Sequence, residues 1–296
     1  MNNFAFLVGV GNYENPTDFN EYPFIINHVL ELEQILIDSG KYSAGNIKKL
    51  ITGHGEEIKP TRGKIINELS TISEKTKEGD HLLVYFIGHG GFYDDDNYLY
   101  PYGAHHNKSN PNVLKDTSIS FKNHVKKYLK DSHLKDIIVI VDACRDKVIA
   151  AGGMTDNKKS GSENTQDDKV EQEFKIDDEF GKPKIKPKRI DLSSGDSYNP
   201  SGISWIFSCS QEQKSYFFKN EKSEQRSTFS QALTNYLAKS KDNPLPNKLL
   251  KKELKDEVKR IYNEYNAYPQ DPNIILGDGA EIYYGEFINV TILKSD

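Results

Sequence analysis

Two cysteines, Cys144 and Cys209, are too few in 296 residues for a secreted disulfide framework, and a zinc site would have to borrow ligands from other residue types. No apolar run approaches the roughly 20 residues that span a bilayer, and Met1 to Gly11 carries neither a basic leader nor a cleavage pattern. The net charge of -5 comes with no concentrated basic face, which a phosphate backbone would require. Internal repeats are missing. These absences leave a cytoplasmic protein with reduced thiols as the expectation, without membrane or nucleic-acid partners. The 36% hydrophobic and 28% charged residues support a globular core with room for a disordered stretch.

The first half of the chain alternates short apolar runs with helical patterns. Phe4 to Val10, Asn46 to Thr52, His81 to Ile87 and Ile137 to Val141 read as strands. Between them, Ile25, Val29, Leu32 and Leu36 recur at helical spacing until Gly40, and Thr61 can cap a helix with Ile65, Leu69 and Ile72 on its buried face. Ser118 to Leu129 reads as a further helix. Strands that are apolar throughout are buried on both faces, so the pattern predicts a mostly parallel sheet with helices on both sides, a three-layer α/β/α arrangement. Such sheets hold their chemistry at the carboxyl ends of the strands.

From about Thr155 to Pro200 the chain is polar and mixed in charge, ending near Lys188-Arg189. It cannot bury enough surface to offset its ordering entropy, so a disordered loop at about 150–200 is expected within a single domain. Order resumes at Ile203 to Cys209, a fifth strand, with Cys209 a buried structural thiol. A helix from Ser227 or Thr228 to Leu237 follows, then an amphipathic helix from Asn247 to Tyr265 with Leu250, Leu254, Val258, Ile261 and Tyr265 on one face. A loop-like tail from Tyr268 to Gly279 leads to a last strand, Ala280 to Leu293.

Two motifs end consecutive apolar strands: Gly88-His89-Gly90 and Asp142-Ala143-Cys144-Arg145. On neighbouring strands, His89 and Cys144 would face each other above the sheet. A thiol of ordinary pKa about 8.5 needs a nearby imidazole to react as thiolate at neutral pH. The amides of Gly90 and Cys144 are placed to form an oxyanion hole. Gly53-His54-Gly55 also ends a strand, but the second rather than the third, and is read as an exposed turn.

Together these motifs resemble those of the caspase-like cysteine peptidases: caspases, metacaspases, paracaspases and their bacterial relatives. Leu7 to Tyr13, Tyr98 to Pro101 and Thr228 to Leu233 match bacterial members too, so the resemblance runs from Phe4 to Leu237. It implies a cysteine endopeptidase in which Cys144 attacks the scissile carbonyl and His89 protonates the leaving amine, with no third triad member required. It implies that Asp142, two residues before the nucleophile, selects Arg or Lys before the cut, with the segment Ser208 to Phe217, including Ser208, Gln211 and Glu212, as the other wall of that pocket. Bacterial members usually carry Asn-Asp at the start of the first helix where this chain has Asn27-His28, so the second pocket acid is either missing or supplied elsewhere, with Glu212 a candidate.

The resemblance further implies a zymogen cut in the 150–200 loop, at Lys188-Arg189 or nearby, by itself or by an upstream protease, in a cell-suicide or antiphage cascade. Protein or peptide substrates are the expected partners, and no cofactor is expected. Some metacaspases are calcium-activated, and Asp94-Asp95-Asp96-Asn97 offers clustered carboxylates, although an acidic hairpin turn is the favoured reading; His105-His106 is read as solvated loop. The rival readings are cleavage after Asp and a catalytically silent binding module.

Overall fold

The computed structural model describes residues 2–52, 59–107, 110–130, 132, 134, 136–145, 203–211, 213–239 and 247–275. His54, Lys188, Arg189, Glu212, the 150–200 loop and the 280–293 strand lie outside the described residues. In chain order the elements are β1 (Asn3–Gly9), α1 (Ile25–Asp38), β2 (Ile47–Ile51), α2 (Arg62–Lys75), β3 (His81–Ile87), β4 (Gly90–Tyr93), β5 (Asp96–Leu99), α3 (Pro111–Thr117), β6 (Ile119–Ser120), α4 (Lys126–Lys130), β7 (Asp136–Asp142), β8 (Ile203–Phe207), β9 (Phe217–Lys219), β10 (Gln225–Ser227), α5 (Thr228–Lys239), α6 (Asn247–Glu264) and β11 (Asn273–Ile275).

Six strands form the central sheet in the order β11-β8-β7-β3-β1-β2. All neighbours are parallel except β11, which runs antiparallel to β8. The chain builds outward from β1 to β2, then returns to place β3 on the other side of β1, and this reversal opens a crevice at the carboxyl edge.

The period-two alternation of strand side chains explains why these strands are apolar throughout. Leu7, Tyr85, Ile87, Ile138, Ile140 and Ile206 pack on one face against α1, α5 and α6. Phe6, Val8, Val84, Phe86, Val139 and Trp205 pack on the other, against α2 and the 121–129 helical turns. Truncating any of the fully buried aliphatic residues here would cost about 2–5 kcal/mol.

Local signals end the helices where expected. Gly40, at φ +74°, closes α1 as its amide and that of Ser39 reach back to Ile37 and Ile35. Thr61 caps α2, accepting from Lys64 N at 3.4 Å. Leu254, Val258 and Ile261 of α6 are buried as its periodicity predicts.

Three expectations change. The helix predicted over Ser118 to Leu129 instead starts with β6, paired to β5, and then a π-helical turn from Phe121 to Val125. Ser120 is the cause: its hydroxyl donates to Asp96 and accepts from Asn123 N, while its amide donates to His124 Nδ1. The tail read as a loop contributes β11, whose Ile274 pairs with Ile206. Cys209 lies two residues beyond β8 rather than inside it, yet it is fully buried.

Candidate active site

Register brings the two motifs together. Ile87 pairs with Asp142 across β3 and β7, and His89 and Cys144 each lie two residues beyond that pair, at the carboxyl edge. The loops stay in contact past the strands. A Cβ placed on Gly90 would stand 3.0 Å from Ala143 Cβ and 3.1 Å from Cys144 O. Only glycine permits that approach. Tyr13 and Tyr22, two rings that pack on His89, also lie within electrostatic reach of Cys144.

His89 is held on several sides. Its backbone amide donates to Tyr13 Oη at 3.0 Å, and its carbonyl accepts from Tyr100 N at 3.0 Å. The rings of Tyr13, Phe19 and Tyr22 stand 5.3, 5.6 and 5.2 Å from the imidazole. Its Nε2 lies 3.0 Å from Asn20 O. A carbonyl only accepts, so Nε2 carries the hydrogen and Nδ1 is the basic nitrogen of the neutral ring. Burial pulls the imidazole down to about 4, against the opposing pull of the Asn20 carbonyl. At neutral pH His89 is therefore an uncharged base. The resemblance implied that no third group is required beside the His–Cys pair; here the Asn20 backbone carbonyl accepts from the imidazole.

Gly90 starts β4. Because Tyr100 N donates to His89 O, the Gly90–Leu99 pair is of the non-hydrogen-bonded kind, and the Gly90 amide points away from β5. Cys144 is 9% exposed, at the border of burial, and its thiol lies 3.8 Å from Ser215 O. Beyond it, Arg145 N donates to Gln213 O at 3.0 Å, and the guanidinium lies 4.0 Å over the Phe207 ring with Nε on Asn97 Oδ1 at 2.8 Å. These contacts anchor the nucleophile segment to the 208–217 wall and to β5.

Asp142 is 2% exposed and enclosed by hydroxyls. Ser215 Oγ donates to Oδ1 at 2.6 Å, and the Ser227 and Ser230 hydroxyls donate to Oδ2. Burial pushes its carboxyl above the ordinary carboxylate range, and hydrogen bonds from Ser215, Ser227, Ser230 and Ser208 oppose that rise only in part. Because Ser230 donates to Asp142, the Tyr85 hydroxyl 2.7 Å away must donate to Ser230. Gln270 Nε2 donates to Ser208 O at 2.7 Å and Ser215 Oγ at 3.2 Å. His28 Nε2 accepts from Ser227 N at 2.9 Å. Burial, then the charge of Arg226, pulls His28 down to about 3, so this residue brings no charge to the Asp142 cage.

Of the other candidates, Ser208 is buried beside Asp142, and Gln211 lies half-buried in the turn after β8. Asp94 and Asp95, at φ 51° and 57°, form the tight turn between β4 and β5 and pair with Lys115 and Lys122, while Asp96 is buried against Ser120. Among the described residues no group of three or more His, Cys, Asp or Glu is placed to hold a metal ion. Cys209 donates to Ala143 O and Gln213 O, and burial pushes its thiol up to about 12, so it is not a second nucleophile at neutral pH.

A family model described as the caspase domain matches residues 2–276, a span that contains every element above. The chain belongs to the caspase domain family. This caspase domain is 30% identical over 165 residues to Metacaspase-6 of Arabidopsis thaliana, covering 52% of this chain and 39% of the plant protein. It therefore spans well under half of that relative's length. Over 93% of both chains it superposes on the crystal structure of protein GSU0716 from Geobacter sulfurreducens with a TM-score of 0.54 and 13% identity, a likeness of fold alone. Among the described residues no helix is long and apolar enough to cross a membrane.

Proposed function

We propose that this caspase domain is a single-domain cysteine endopeptidase that cuts after Arg or Lys. The observation that supports it best is the register that brings His89 and Cys144 together at the carboxyl edge, with the imidazole buried, neutral and oriented. Neutral His89 takes the thiol proton as Cys144 Sγ adds to the scissile carbonyl. The Gly90 and Cys144 amides receive the oxyanion, His89 returns the proton to the leaving amine, and water then hydrolyses the thioester.

Asp142 supplies the negative charge for a basic residue before the cut, with Ser208 beside it and Gln211 and Glu212 as the further pocket candidates. The Ser215, Ser227 and Ser230 hydroxyls turn their hydrogens towards Asp142 and so favour its charged form. Cleavage of the 150–200 loop near Lys188-Arg189, by the enzyme itself or an upstream protease, releases the wall to accept substrate. No cofactor takes part. A role in a cell-suicide or antiphage cascade follows from the family resemblance.

The test is a panel of fluorogenic peptides ending in Arg, Lys or Asp, before and after limited proteolysis of the loop, with and without EDTA. Turnover after Arg or Lys that rises on nicking and survives EDTA is expected. Cleavage after Asp alone would overturn the specificity, and no turnover in any arm would overturn the peptidase.

Gly90 gives an independent check of the oxyanion hole. Gly90→Ala drives a methyl group to within 2.9 Å of Tyr98 O and 3.0 Å of Ala143 Cβ, so β4 must shift and carry the amide with it. Turnover should fall by about 100-fold, the scale of losing one oxyanion donor. Steady-state kinetics on the Arg or Lys peptide read it directly.

A further inference from the structure

The carbonyl that orients His89 belongs to Asn20, in the irregular 10–24 segment between β1 and α1. No helix or strand contains that carbonyl, so its position depends on the contacts that tether the segment, among them the Tyr22 N to Gly11 O bond at 2.6 Å and the Phe19 ring packed on Tyr13, His89 and Tyr100. Thr52 Oγ1 holds the segment's start, accepting from Gly11 N at 2.8 Å and Asn12 N at 3.0 Å. Glu14 N donates to Tyr102 O at 2.9 Å.

On the N-terminal side of Asn20 the polar side-chain tether is Asp18. Its Oδ2 accepts from His105 Nδ1 at 2.7 Å and from His106 N at 2.9 Å. His105 is in turn fixed through its backbone, whose amide donates to Thr117 Oγ1 at the end of α3 at 3.1 Å. The 100–106 segment also carries Tyr100, whose amide holds the His89 carbonyl. The imidazole and its orienting carbonyl are thus referred to one frame, and Asp18 closes the loop between them.

We propose that Asp18, gripped by His105 and His106, is a positioning residue that holds the Asn20 carbonyl on His89 Nε2. The proposal rests on the reading of His89 as the catalytic base. A charge-assisted pair suits the task, because it is roughly twice as strong as a neutral hydrogen bond. Small losses of alignment at a reacting group are costly in rate.

The experiment follows the His89 ring by NMR titration, in a chain with eight histidines, alongside steady-state kinetics for wild type, Asp18→Ala and Asp18→Asn. Asp18→Ala should let water reach the ring and raise its titration midpoint by about one pH unit towards the ordinary histidine range. It should lower kcat about tenfold with KM within about twofold. Asp18→Asn keeps an acceptor for the His106 amide and should recover most of both. A folded Asp18→Ala protein with His89 titration and kcat unchanged would overturn the proposal. If Asp18→Ala does not fold, His105→Ala removes only the exposed half of the grip, and an unmoved His89 titration there overturns it equally. A wild type that cuts no peptide would sink the peptidase reading, while the titration would still decide the role of Asp18.

Discussion

Cys144→Ala should leave a folded protein that cuts the Arg or Lys peptide slower by at least about 10⁴-fold, because without the nucleophile no thioester can form. The substitution removes one sulfur at the border of burial, so its melting temperature should stay within a few degrees of wild type. His89→Asn should lose turnover on the same scale, and the double variant little more, since the two residues act as a unit.

The pH profile gives a sharper reading of the same pair. Burial pulls His89 to about 4 from an ordinary 6.5, so the acid limb of kcat/KM should fall near pH 4. A limb at the ordinary value would mean that the ring is hydrated during turnover. Stability moves with it. Between pH 6.5 and 4 the unfolded chain binds a proton on His89 that the folded chain refuses, so folding weakens as pH falls through that window. His28, pulled to about 3, adds a loss of the same sign. Urea unfolding at pH 7 and pH 4.5 should differ by several kcal/mol, on the order of 3 for each of His28 and His89 over that interval.

The second large effect is expected at Asp142. Asp142→Ala leaves the Ser215, Ser227 and Ser230 hydroxyls without their shared acceptor, in a region where none of the three serines is more than 2% exposed. Removing one partner of such a buried network should cost about 3–5 kcal/mol. Asp142→Asn keeps the shape and one acceptor oxygen and should cost about 1–2 kcal/mol, the price of turning one hydroxyl.

Both variants should lose about 100-fold or more in cleavage after Arg or Lys, with little change for peptides lacking a basic residue there. A peptide panel run beside thermal melts separates the two possible roles. Asn with reduced stability but an unchanged preference would make Asp142 a brace for the Cys144 segment and nothing more.

The layer order and the proposed catalytic pair were legible in the residues. Apolar runs such as Leu82 to Ile87 and Ile137 to Val141 can be satisfied only with both faces covered, so they announce a parallel sheet and its helices. Gly88-His89-Gly90 and Asp142-Ala143-Cys144 stand at the ends of two such runs, and the adjacency of β3 and β7 does the rest.

The supports of the site were not legible, for reasons that differ by residue. Asn20 acts through a backbone carbonyl, which has no side-chain signature. Ser215, Ser227 and Ser230 reach Asp142 from 73, 85 and 88 residues away, a separation at which no local spacing signals contact. His105-His106 looked like solvated loop, and only the folded chain brings Asp18 to it, 87 and 88 positions distant. β11, three residues in a Pro-containing tail, is too short for its periodicity to register and exists because β8 offers it an edge.

The sequence by itself thus singled out the candidate His89–Cys144 pair and determined which layers bury the strands, because hydrophobic pattern and strand-end motifs are local. The orientation of His89, the enclosure of Asp142 and the neutrality of His28 and His89 were decided only by the tertiary structure, because hydrogen-bond partners and desolvation depend on what the fold brings alongside.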